Sequence, residues 1–218
     1  MATFPTSDRV LLALLGVGLA GTCTIIYFGR AAEAARREIK VAVSFEPSPR
    51  FDFGIRVEQA YASVPHRHTR FDPDSTSMTK EESSYLQSMF DLIDQAIVLR
   101  VATQGDYRHG ATDETKHLAA MEEAQTYLQR LRAPPALEAF HEFVRRALEE
   151  QSAYFREWHE QGGSFRFGAP GAVGLHPKVQ SSSQALHQAY NALLNLYPGA
   201  AYRTQQAFFD GLCTLDLN

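Results

Sequence analysis

A chain of 218 residues with 44% hydrophobic and 21% charged side chains has globular proportions, which excludes a wholly disordered polymer. Twenty-one basic against twenty-five acidic residues give a formal net charge of −4. The polar part carries no concentrated basic block, which excludes nucleic acid as a partner class, because phosphate counterions are displaced only by clustered positive charge.

The chain opens with a short tail, residues 1–9, and then a charge-free run of nineteen residues, VLLALLGVGLAGTCTIIYF, at positions 10–28. As a helix rising about 1.5 Å per residue, this run reaches close to the ~30 Å of a bilayer's hydrocarbon core. Tyr27 stands at its edge, where an aromatic with a polar tip favours the headgroup level. The run is read as a single transmembrane anchor. Two alternatives stay open. A cleaved signal has a small-residue site at Gly18-Leu19-Ala20, and a lipid anchor could use Cys23. The apolar run nevertheless continues past the first, and Thr22 is ill suited to the second.

Arg30, Arg36, Arg37 and Lys40 follow the run, against Arg9 alone before it. This places the bulk of the chain on the cytosolic side. Residues 29–43 are expected to extend the helix as a basic juxtamembrane segment facing anionic headgroups.

Residues 44–78 hold four prolines and no lasting apolar period, and are read as a linker with a short strand or extended arm around Phe51, Phe53, Ile55, Val57 and Tyr61. From residue 79 to 218 the pattern is helical. Thr79 and Glu82 form a capping box for a first helix with Leu86, Met89, Ile93, Ala96 and Ile97 on one face. Asp113 and Glu114 begin a second, striped by Leu118, Met121, Gln125, Leu128 and Leu131. Pro134-Pro135 ends it and opens a third. That helix has the clearest period: Leu137, Phe140, Val144, Ala147, Gln151, Tyr154 and Trp158. A Gly- and Pro-rich connection of about seventeen residues leads to a fourth helix, capped at Ser181 with Leu186, Tyr190, Leu193 and Leu196 on its face. A short helix from Tyr202 to Leu212 closes the pattern. The fold expected is all-α: an N-terminal span, then an antiparallel four-helix-bundle-like domain with an extra short C-terminal helix.

Cys23 and Cys213 are too far apart in character to imply an internal disulfide framework. Two Glu-x-x-His pairs, Glu114/His117 and Glu138/His141, have the spacing used in di-metal bundles, but they open consecutive antiparallel helices and would face opposite ends. His66, His68, Asp72 and Asp74 gather four metal-ligating side chains in nine residues, in a segment without an evident scaffold to hold them. No nucleophile-elbow, phosphate-loop or Cys-x-x-Cys motif occurs. No cofactor is expected.

The leading expectation is a non-enzymatic accessory or scaffold protein. It would bind a protein partner at a membrane through Phe165, Phe167, Leu175 and His176 of the long connection and Tyr202, Phe208, Phe209 and Leu212 of the tail. The alternative is a helical sensor or redox module holding a small ligand or cofactor.

Overall fold

The computed structural model describes residues 45–64, 66–73, 78–109, 114–160 and 173–217. The expected span (10–28), the juxtamembrane residues Arg30, Arg36, Arg37 and Lys40, the ligand candidate Asp74, and Phe165 and Phe167 all lie outside these. Among the described residues no helix is long and apolar enough to cross a membrane. The chain divides into two compact units, residues 1–43 and 44–218. All described residues belong to the second.

Its regular structure is helical: α1 (Val57–Ser63), α2 (Lys80–His109), α3 (Glu114–Arg130), α4 (Glu138–Glu160), α5 (Pro177–Leu196) and α6 (Tyr202–Leu215). The Thr79/Glu82 box starts α2 as its sequence implies. The Thr79 amide donates to Glu82 Oε2 at 2.8 Å, and the Glu82 amide donates to Thr79 Oγ1 at 3.2 Å. The helix then runs through Gly105 to His109. The fifth helix begins four residues before Ser181, because Pro177 takes a first-turn position and His176 Nδ1 accepts from the Lys178 amide. Ser181 instead donates to Glu150 of α4.

Packing follows the buried stripes. α2 lies against α1, α3 and α6, α3 against α4, α4 against α5, and α5 against α6. Helices α2 to α6 therefore close a ring of five. Neighbours in sequence run antiparallel: Glu157 of α4 faces His176 at the start of α5, and Ser183 of α5 bonds Asp216 just past α6. The closing pair is parallel. Phe90 and Arg100 of α2 meet Phe208 and Thr214 of α6 in the same chain direction. The C-terminal helix is thus a wall of the bundle and not an appendage to four others. At the centre, Phe90 stacks with Phe71, Phe208 and Phe140 at centroid separations of 5.2, 5.7 and 6.4 Å, joining the α1–α2 connection, α6 and α4 to α2.

Residues 45–56, expected as linker, belong to the domain as an irregular arm without strand. Four interactions pin it: Tyr127 Oη donates to the Glu46 carbonyl (2.7 Å), the Phe51 amide to Gln95 Oε1 (3.0 Å), Lys116 Nζ to the Asp52 carbonyl (2.7 Å), and Phe53 stacks on the His117 ring at 4.9 Å. Gly54 takes φ +69°, the left-handed region glycine tolerates, and turns the arm into α1.

Buried polar groups fasten the end of α6. Gln151 Nε2 donates to the Leu215 carbonyl (2.8 Å) and to Ser182 Oγ (3.1 Å), and Arg100 Nη1 donates to the Thr214 carbonyl. Burial lowers the Arg100 pKa to about 10, opposed by the nearby Asp216. A guanidinium at this position complements the negative end of the α6 dipole.

Candidate functional site

The residues singled out by sequence separate in space. His117, 2% exposed, is a core residue: its Nε2 meets Asp106 Oδ2 at 2.8 Å and its Nδ1 meets Thr103 Oγ1 at 3.1 Å. His141 Nδ1 shares a 2.8 Å hydrogen bond with the Tyr85 hydroxyl. Each of these histidines is thus spent on a fold contact. Among the described residues, no three His, Cys, Asp or Glu side chains converge on a point where a metal could sit.

The segment after α1 is dealt out to different helices. His68 Nε2 lies 3.4 Å from Asp94 Oδ2 of α2 and its ring packs on Tyr61 at 4.3 Å. The Tyr61 hydroxyl donates to the other oxygen of Asp94 at 2.8 Å. His66 Nε2 instead faces Cys213 Sγ of α6 at 3.5 Å. Asp72 is half-buried further along. The hydrogen bond to Asp94 holds the His68 pKa above its ordinary value, while burial followed by Asp94 raises that of Tyr61. The His66–Cys213 pair has the composition of a thiol–imidazole couple. Burial, with Asp216 and Asp210 nearby, pushes the Cys213 thiol up, so it stays protonated and is a poor nucleophile at neutral pH.

The expected partner surface also divides. Phe208 (0% exposed) and Leu212 (2%) are core residues, because α6 turns the stripe Thr204, Ala207, Phe208, Gly211, Leu212 and Leu215 inward. Tyr202 (80%) and Phe209 (42%) point outward, and Phe209 packs edge-on against Tyr190 of α5 at 5.7 Å. Leu175 (75%) is exposed but sits at the other end of α5, which at about 1.5 Å per residue is ~30 Å long. His176 is half-buried beneath it as the cap of α5, packed on Tyr154 at 5.0 Å.

Sequence reasoning missed an open groove of about 740 Å³ between residues 66–70 and the first half of α6. His66, Arg67, His68, Thr69 and Arg70 form one wall, and Tyr202, Arg203, Gln206 and Asp210 the other. The Asp94 and Cys213 contacts moor the first wall at His68 and His66, leaving Arg67 and Arg70 exposed between and beyond them. No carboxylate among the described residues stands within ion-pair distance of Arg67, Arg70 or Arg203. The signal available in sequence was the HRHTR run itself. Its partner, Arg203, is brought to it only by the fold.

No known protein family, characterised protein or solved structure matches this chain.

Proposed function

We propose that this chain is a membrane-tethered, non-catalytic helical domain that binds a protein partner, held at the bilayer by residues 10–28 with its bulk on the cytosolic side. The excess of Arg and Lys after the apolar run supports that orientation. The observation that carries the reading is the outer face of α6. Tyr202 and Phe209 stand exposed on it, Phe209 against Tyr190, on a helix whose remaining apolar residues all turn inward. Exposed aromatics beside arginine are the side chains that dominate protein contacts.

The test is site-specific photo-crosslinking of the full chain in its native membrane, with the photoreactive residue at position 209 and, as a control, at the exposed Gln184 of α5. A discrete crosslinked product from 209, absent from 184 and lost with Tyr202→Ala, supports the reading. Equal products from both positions, or none from 209, overturn it. Because Tyr202 is almost wholly exposed, its substitution leaves the thermal midpoint within a degree or so.

A further inference from the structure

The groove joins features that come from separate parts of the chain. Arg67 and Arg70 belong to the connection after α1 and Arg203 to the start of α6, so their convergence is made by the fold and not by a local basic run. None of the three lies within ion-pair distance of a carboxylate among the described residues, Arg70 acting on Asp91 only from further away. The fourteen-residue α6 begins in this groove with Ala201 at its cap position, which supplies no side-chain acceptor for the first-turn amides. The Ala201 carbonyl takes the Thr204 amide at 2.9 Å, so the amides offered to an anion at the positive end of the helix dipole are those of Tyr202 and Arg203.

A second observation is independent of these cations. Asp210 lines the same groove and is 3% exposed. Its Oδ1 accepts from Gln206 Nε2 at 2.6 Å, while its Oδ2 is buried with no hydrogen-bond partner among the described residues. A buried carboxylate oxygen left without a donor is costly, and a ligand that brings a donor removes that cost. A simple anion would gain from the arginines and lose to Asp210. A ligand carrying both an anionic group and an N–H or O–H donor satisfies both ends. The adjacent carboxylate, Asp94, already accepts from Tyr61 and faces His68, so Asp210 is the acceptor left over.

We propose that this groove binds a phosphate ester bearing an amine or hydroxyl donor. Arg67, Arg70, Arg203 and the first turn of α6 hold the phosphate, and Asp210 accepts from the donor. The groove's volume suits a small molecule or a lipid headgroup, and the chemistry is the same for both. The groove shares Tyr202 and Arg203 with the docking face, but Asp210 takes no part in the Phe209 contact, so crosslinking at position 209 and probe binding in the groove succeed or fail separately.

The experiment is calorimetric titration of the full chain, solubilised in a maltoside detergent and phosphate-free buffer, with four probes: O-phosphoethanolamine, phosphocholine, inorganic phosphate and ethanolamine. Phosphocholine keeps the phosphate and the positive charge but has no N–H donor. O-phosphoethanolamine is expected to bind at least tenfold tighter than the other three. Arg67→Ala/Arg70→Ala/Arg203→Ala is expected to abolish binding. Asp210→Asn is expected to retain phosphate binding and lose the preference for the amine. Equal affinity for phosphocholine and O-phosphoethanolamine, undiminished binding by the triple variant, or no saturable binding of any probe overturns the proposal. Should Asp210→Asn fail to fold, the probe series on the unaltered chain decides alone. Short-chain phosphatidylethanolamine distinguishes the sources: binding as tight as the free ester identifies a lipid headgroup, and binding of the monoester alone identifies a soluble ligand.

Discussion

His68 and His141 respond to protons in opposite directions, and the difference lies in what surrounds each ring. Asp94 raises the pKa of His68 in the folded state above the ordinary 6.5, so its contribution is full below that value and is lost as pH rises through the raised one. Burial lowers the pKa of His141, so its contribution is full above 6.5 and is lost as pH falls toward the lower folded value. Chemical denaturation of His68→Asn should therefore show a deficit of up to about 1 kcal/mol near pH 5.5 that shrinks near pH 8.5. His141→Gln should lack the acid-side loss of the parent protein. Gln151 gives a sharper case. Its amide serves the Leu215 carbonyl and the Ser182 hydroxyl together. Gln151→Leu keeps the shape but leaves buried polar atoms unmet, and an unfolding titration should show a loss of roughly 1–3 kcal/mol.

At the scale of elements, two helical glycines separate packing from propensity. A methyl group at Gly105 of α2 meets nothing within 4 Å, whereas at Gly211 of α6 it would lie 3.0 Å from Cε1 of Phe90. That ring is fixed by its stacks with Phe71, Phe208 and Phe140 and cannot withdraw. Thermal unfolding should show Gly105→Ala stabilised by about 0.5–1 kcal/mol and Gly211→Ala destabilised by roughly 1–2 kcal/mol, the same substitution with opposite signs. These helices also show what the sequence discloses. Every residue of the α4 seam from Leu137 to Trp158 is buried, since a long regular period admits one inward face. The α3 stripe is less legible: Ala120, Ala124 and Tyr127 are buried where Leu118 and Gln125 border the core, because Tyr127 and His117 mix polar atoms with apolar bodies. In the tail, Phe208 and Leu212 are core residues while Tyr202 and Phe209 are exposed. Thr204, Phe208, Leu212 and Leu215 recur at helical spacing, and that period marks a core face more strongly than aromatic content marks a surface.

For the whole molecule, long-range pairing decides what a sequence reading misses. The arm of residues 45–56 has no period of its own, and its order comes from Tyr127, Gln95, Lys116 and His117 on two distant helices. The groove was invisible for the same reason, since Arg203 reaches Arg67 and Arg70 only when α6 closes the ring. With the arm included, residues 44–218 form one compact unit. A fragment of those residues should unfold in a single cooperative transition and stay in the supernatant after alkaline washing of membranes, while the full chain pellets. Pelleting of both, or release of both, would refute the anchor at residues 10–28.

The clamp on the end of α6 sets an order of events during synthesis. Arg100 finds the Thr214 carbonyl across 114 residues, so at about 5–20 residues per second it waits roughly 6–23 s for its partner to be made. Through that interval α2 to α5 lack the wall that covers Phe90, and their inner faces stay open. If residues 10–28 have already engaged the bilayer, the unfinished ring matures beside a membrane, where an exposed apolar face is most at risk of straying. The arrival of α6 ends that exposure.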